Sequence, residues 1–388
     1  MHDEREREAL LAVLDSGQWW YGERVRDFEQ AFAAFQDARF GVTTTSGTTA
    51  LELALIGAGV GAGQEVIVPP YTFVATASAV LKANAVPVFA DIELETLNLD
   101  PAQVEAAITD RTAAIVPVHF GGLPADMDRL LAIARARGLR VIEDAAHAWG
   151  SKWRGKGCGA LGDLGIFSFQ VSKNITAGEG GIVLTDQPEL ADTVRSLSNC
   201  GRGKAGAWYE HYLLGGNYRM TEFQAALLLA QLGRLPDQVA RRAANAARLG
   251  EGLAEVEGVH PLREDPRAQP RSYHLYAMRV VASEVGCSRE RFVEALRAEG
   301  VPASTGYPHP LYRNPLFQRK GQGPAYCPVS CPFYDREVDY ARVHCPNAEA
   351  ACQQVMWLPQ WVLLGTERDM EDILAAARKV RAHASELA

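Results

Sequence analysis

Phe167-Ser168-Phe169-Gln170-Val171-Ser172-Lys173-Asn174-Ile175-Thr176-Ala177-Gly178-Glu179-Gly180-Gly181 sets one lysine between a short aromatic and serine run and a glycine cluster. Upstream, Val141-Ile142-Glu143-Asp144-Ala145-Ala146-His147 is a short apolar run that ends in an acid. Outward from these two segments, strands and helices alternate. Residues 65–68 form a buried strand ending at Pro69, 76–83 a helix and 86–91 the next strand. Residues 101–107 form a helix with Asp100 as N-cap and Pro101 at its first position. Residues 112–118 are a strand, 126–137 an amphipathic helix closed by Gly138, and 139–143 a strand again. Apolar strands separated by helices imply an α/β fold with a largely parallel sheet covered on both faces.

The pattern changes after about residue 220. A long Ala/Leu-rich helix starts at Thr221, and a second spans 237–256. The charged, proline-containing stretch 263–269 reads as a linker. Beyond it come a strand at 273–281 and helices at 289–299 and 369–383. We expect a large domain over 1–256 and a smaller α+β domain over 257–388. Residues 308–346, rich in proline and aromatic side chains, read as a long irregular loop of the kind that shapes a site.

The 388 residues are 47% hydrophobic and 22% charged, with a net charge of −8. That balance argues against a nucleic-acid footprint. No apolar run approaches the roughly 20 residues that span a bilayer. The charged start, Met1-His2-Asp3-Glu4-Arg5-Glu6-Arg7-Glu8, lacks the apolar centre of a signal peptide. Seven cysteines then read as reduced thiols in a cytoplasmic protein. Cys327-Pro328-Val329-Ser330-Cys331 followed by His344-Cys345 suggests a metal at first sight. A structural zinc site needs four well-placed ligands, and here one loose pair stands amid prolines. We expect incidental thiols and no metal.

The chemistry gathers around Lys173 and Asp144. Lysine plus a buried acid is the minimum equipment for holding pyridoxal 5'-phosphate (PLP). The amine makes a Schiff base with the aldehyde, and the acid keeps the pyridine nitrogen protonated. Asp144 lies at the expected carboxyl end of a parallel strand, where open α/β sheets bind ligands. As a plain helix cap it would be unremarked; Lys173 downstream tips the reading toward function. Partial desolvation would lower the lysine's pKa and free its amine. Ser46-Gly47-Thr48-Thr49-Ala50 opens a helical run, so its backbone N–H groups and the helix dipole make an anion site. Ser46 serves as a cap in either case, and Ser168 could add a hydroxyl to the same phosphate. In Pro70-Tyr71-Thr72-Phe73 an aromatic could stack on a pyridine face or simply fill a core. His147 could bond a ring oxygen, or be structural. Arg219, after Asn217-Tyr218, could bind a carboxylate or phosphate bidentately, or lie on the surface. Gly57-Ala58-Gly59-Val60-Gly61-Ala62 mimics a dinucleotide fingerprint but follows a helix and precedes a strand, so it reads as a turn.

Together these motifs resemble the DegT/DnrJ/EryC1/StrS sugar-aminotransferase family of fold-type I PLP enzymes. The matching segments are Thr45-Ser46-Gly47-Thr48-Thr49-Ala50-Leu51, Pro70-Tyr71-Thr72-Phe73, Glu143-Asp144-Ala145-Ala146-His147, the stretch from Phe167 through Lys173 to Gly181, and Gly216-Asn217-Tyr218-Arg219-Met220-Thr221-Glu222. The resemblance implies a mostly parallel seven-stranded sheet between helices. It implies Lys173 as the Schiff-base lysine and Asp144 at the pyridine nitrogen. It implies phosphate contacts from Gly47, Thr48 and Ser168, stacking by Phe73, and His147 facing the ring oxygen. It also implies that Asn217 reaches the phosphate of a neighbouring subunit's cofactor, in a homodimer with shared sites. Some relatives carry histidine in place of the lysine and act as dehydratases; Lys173 points away from them. Ser16-Gly17-Gln18-Trp19-Trp20, Cys345-Pro346-Asn347 and Trp357-Leu358-Pro359 resemble the branch of cyclitol aminotransferases and aminohydroxybenzoate synthases. The implied reaction moves an amino group from glutamate or glutamine to a ring ketone of a cyclitol or keto-sugar. Nucleotide-sugar amination, or a dehydrating and aromatising lyase reaction, is the alternative. Tyr71, Arg219, Tyr307 and His309 are the candidate substrate residues.

Overall fold

Seven strands form the central sheet of the computed structural model, which describes residues 2–205, 207, 209–318 and 332–387. Across the sheet they run Phe40–Thr44, Gly181–Thr185, Leu164–Ser168, Arg140–Asp144, Thr112–Ile115, Glu65–Val68 and Val86–Phe89. All pairings are parallel except those of Gly181–Thr185, which runs against both its neighbours. Glu65–Val68, Leu164–Ser168 and Gly181–Thr185 are buried at every position, because helices cover both faces. This reversal positions the chemistry. Leaving the carboxyl end of Leu164–Ser168, the chain must turn back on the same edge, and that turn carries Lys173. Asp144 ends the adjacent parallel strand, so topology alone brings both residues to one rim.

A second, four-stranded antiparallel sheet has the order Val259–Pro261, Leu275–Val280, Val355–Pro359, Ser304–Thr305. The helices Leu235–Ala254, Arg289–Ala298 and Glu367–Ala382 share its core through Leu249, Leu253, Phe292 and Leu374. Within the expected loop over 308–346, described residues form short helical turns at Leu311–Arg313, Pro315–Gln318 and Tyr340–Arg342. Leu311, Tyr312, Phe317 and Tyr340 pack onto the core of the large sheet. Cys327 and Cys331 lie outside the described residues; among the described residues no cluster of metal-ligating side chains occurs. No described helix is long and apolar enough to cross a membrane.

Two N-terminal helices, Glu4–Ser16 and Glu23–Phe35, are absent from the sequence reading. Their alternating charges conceal the few inward positions, Val13 on the first and Val25, Phe28 and Phe32 on the second. Glu23–Phe35 begins without a side-chain cap of its own. The buried carboxylate of Glu222 fills that role from far along the chain, accepting from the N–H groups of Gly22, Arg24 and Val25 at 2.9, 3.0 and 2.9 Å. An anion there satisfies orphan donors and the positive end of the helix dipole. Glu222→Ala is expected to cost about 2–3 kcal/mol of stability in urea unfolding.

Candidate active site

The strand end at Asp144 shows how alternation divides labour. Glu143 faces one side, is fully buried, and accepts from the N–H groups of Gly159, Leu161 and Gly162 at 2.8, 2.7 and 2.7 Å. It also pairs with His119 Nε2 at 2.8 Å, whose Nδ1 accepts from Ala125 N at 3.1 Å. Asp144 faces the other side and opens onto a cavity of about 610 Å³. Its Oδ2 accepts from the Thr76 hydroxyl at 2.8 Å and its Oδ1 from Ala146 N at 3.2 Å. Burial pushes its pKa up; those two hydrogen bonds and the nearby Lys173 charge hold it down.

Lys173 lines the same cavity. Its Nζ lies 5.7 Å from the centre of the Trp149 ring, so one side of the amine is apolar. Desolvation lowers its pKa to about 8, against the opposing pull of Asp144. The loop that carries it is pinned at its neck by Phe169 N to Gly180 O at 2.8 Å and Ala177 N to Phe169 O at 3.0 Å.

At one end of the cavity the helix Gly47–Gly57 presents its first turn. Ser46 and Thr49 close a capping box, with Thr49 N donating to Ser46 Oγ at 3.1 Å and Ser46 N to Thr49 Oγ1 at 3.0 Å. The Ser46 hydroxyl is therefore spent on its own helix. Gly47 and Thr48 lie in the first turn, and Ser168 lines the cavity beside them. Gly47 is needed for closeness, since a Cβ there would stand 2.7 Å from Ser168 Cβ. Gly181 serves the same end, as its Cβ would meet Ser46 O at 2.3 Å. A cradle of backbone donors beside a serine hydroxyl, facing a depressed lysine and a buried acid, fits the phosphate, aldehyde and pyridine nitrogen of PLP.

Of the other expected residues, Phe73, His147 and Tyr307 also line this cavity. Phe73 is 59% exposed in the single chain. Tyr71 is buried behind the wall, with its ring centre 5.3 Å from that of Tyr307. Asn217, Arg219 and His309 are not on the cavity wall of this chain. Arg219 donates to Asn199 Oδ1 at 2.8 Å and lies over Trp20, and His309 is exposed. The sequence reading lacked Thr76, His274 and any site role for Trp357. Thr76 follows Thr72 by one helical turn and bonds it at 3.2 Å, which is the only local sign of its role. Trp357 lies in the second sheet and His274 just before its strand Leu275–Val280, and nothing local links them to Lys173.

A family model described as "DegT/DnrJ/EryC1/StrS aminotransferase family" matches residues 1–378. The chain is 39% identical to a 3-amino-5-hydroxybenzoate synthase of Amycolatopsis mediterranei (strain S699), covering 95% of this chain and 93% of that one. It is 41% identical to an L-glutamine:2-deoxy-scyllo-inosose aminotransferase of Streptomyces paromomycinus, over 97% and 92% of the two chains. A crystal structure of 3-amino-5-hydroxybenzoic acid synthase superposes with a TM-score of 0.89 at 38% identity, covering 99% of this chain and 97% of the other. The fold is thus that of the fold-type I enzymes. The chain belongs to the DegT/DnrJ/EryC1/StrS aminotransferase family and is a PLP-dependent aminotransferase.

Proposed function

We propose that this aminotransferase moves the amino group of glutamine or glutamate to the ring ketone of a cyclitol or a similar undecorated keto-sugar. One observation carries the choice of acceptor. Among the described residues lining the cavity, Lys173 is the sole lysine or arginine. With Lys173 and the helix start given to PLP, the described lining that this chain contributes leaves no cationic side chain for a nucleoside diphosphate. A neutral polyhydroxylated ring suits the remaining wall, where Tyr307 and Trp357 stand with ring centres 5.5 Å apart. The relative named for L-glutamine and 2-deoxy-scyllo-inosose supports the same class. The test is to load the protein with pyridoxamine phosphate and add keto-inositols or nucleotide keto-sugars. Return of the pyridoxal absorbance is expected with the former; return with nucleotide sugars alone overturns the assignment. The similarity to a 3-amino-5-hydroxybenzoate synthase favours a second reading, a lyase that dehydrates and aromatises an amino-ring substrate. New aromatic absorbance without consumption of an amino donor would identify it.

Bound here, PLP supplies a carbonyl carbon that takes up amines and a ring that withdraws electrons. In our assignment Lys173 holds it covalently, and its freed amine, with a pKa near 8, then carries protons at the reacting carbons. Asp144 would pair with a positive ring nitrogen, and His147 would donate to the ring oxygen. Gly47, Thr48 and Ser168 hold the phosphate, with Phe73 against the ring. Tyr307 belongs to the acceptor side, with Tyr71 behind it as support.

We assign a homodimer with shared sites, in the cytoplasm. Large apolar side chains stand uncovered around Asn217, including Trp20 at 62% and Leu214 at 100% exposure, as expected of a face that meets another copy. Five described cysteines are unpaired, which suits a reducing compartment. If Asn217 serves the partner's cofactor, mixing inactive Lys173→Ala and Asn217→Ala proteins should restore about a quarter of wild-type activity, since random exchange leaves one intact site in each mixed dimer. Failure to regain activity, with subunit exchange demonstrated, would remove the shared site.

A further inference from the structure

His147, in the turn after the strand Arg140–Asp144, and His274, just before the strand Leu275–Val280, meet at the cavity wall, with ring centres 4.3 Å apart and planes inclined by 34°. Each ring is fixed by one hydrogen bond, and the two bonds have opposite sense. Gly121 N donates to His147 Nδ1 at 3.3 Å, so the proton of His147 sits on Nε2. Asn174 donates through Nδ2 to Ser272 O at 3.1 Å, which leaves its Oδ1 to accept from His274 Nδ1 at 3.1 Å. The proton of His274 therefore sits on Nδ1. Asn174 is the neighbour of Lys173 in sequence, so the same amide ties the lysine loop to the second sheet. Ser272 strengthens the seam, donating from Oγ to His147 O at 2.9 Å. Trp149 closes the far side, its ring centre 5.5 Å from that of His274. Two rings so close cannot both be cations, and both pKa values lie well below the ordinary value through burial and the Lys173 charge.

We propose that His274 is a positioning residue which, by covering His147 and excluding water, keeps that ring neutral with a fixed Nε2–H donor facing the cavity. This rests on the assignment of His147 to the cofactor's ring oxygen. A cation at His147 would stand beside Lys173 and disfavour the proton that the lysine amine must carry. The charged groups facing the pair are Lys173 and Asp144 from the cavity, with Arg242 behind His274.

The test is 15N NMR of histidine-labelled holoenzyme across pH 6–8, alongside kcat. In wild type, His147 should show the neutral Nε2–H pattern throughout. In His274→Ala, water reaches the ring, and His147 should titrate within this range. Its kcat should then fall about tenfold more at pH 6 than at pH 8, with the KM for glutamine nearly unchanged. His274→Phe, which restores the cover, should return both the NMR pattern and the pH profile. Unchanged His147 signals in His274→Ala overturn the proposal, whatever happens to activity. If that variant does not fold, His274→Asn, whose side chain is too small to cover the ring, takes its place. A His147 that begins to titrate then supports the proposal, and one that stays locked overturns it. Loss of activity in Lys173→Ala is a separate result, so failure of the cofactor assignment and failure of this inference can be told apart.

Discussion

Lys173→Ala is expected to lower kcat by about four orders of magnitude while leaving the fold and the phosphate cradle intact. The size follows from two losses at once. The variant lacks the covalent anchor, and it lacks the amine that shuttles protons at the reacting carbons. The side chain supports little else: it meets the Trp149 face and the charge of Asp144, and its own charge acts on the buried His147 and His274. Unfolding in urea should therefore change little. Absorbance should show PLP retained without a covalent link. The depressed pKa gives a second reading of the same group. Only the neutral amine attacks an aldehyde, so capture of added PLP by the cofactor-free protein should accelerate as pH rises toward about 8 and level off above it. A capture rate that keeps climbing to pH 10 would mean that the amine sits in water. Full turnover by the alanine variant would remove the mechanism.

The parts of this site that the sequence revealed are those whose geometry is local. Asp144 ends a strand, Lys173 sits on the next strand's return loop, and Gly47 opens a helix, so period and punctuation place all three. The helix 101–107 and its Asp100 cap were legible for the same reason, the cap accepting from Ala102 N at 2.8 Å. His274 was not legible, because its partner Asn174 stands 100 residues away, on the lysine loop. Nor was the role of Glu222, which lies in the first turn of its own helix but caps another, some 200 residues earlier in the chain. Arg219 had the chemistry of a carboxylate binder, yet in this chain its guanidinium meets Asn199. The N-terminal helices hid because their exposed charges outnumber the few apolar positions that turn inward.

Asp144→Asn should lower kcat by about a thousandfold with little change in stability. The carboxamide is the same shape; its oxygen can accept from Ala146 N and its NH2 can donate to the Thr76 hydroxyl. What disappears is a negative charge in a dry site, where such a charge beside a positive ring nitrogen is worth far more than in water. The expected cost is that of removing one preorganised electrostatic partner. A second substitution separates charge from shape. Thr76→Val keeps the carboxylate but deletes a hydrogen bond that holds its pKa down. Burial, already the largest influence on Asp144, is then opposed by less, and the carboxylate takes up its proton at a higher pH than in wild type. The sign follows directly: activity should be near normal at alkaline pH and fail sooner as the pH falls. Asp144→Asn, lacking the ionisable group, should be slow at every pH. Equal loss in both variants with unshifted pH profiles would mean that Asp144 matters for packing and not for its charge.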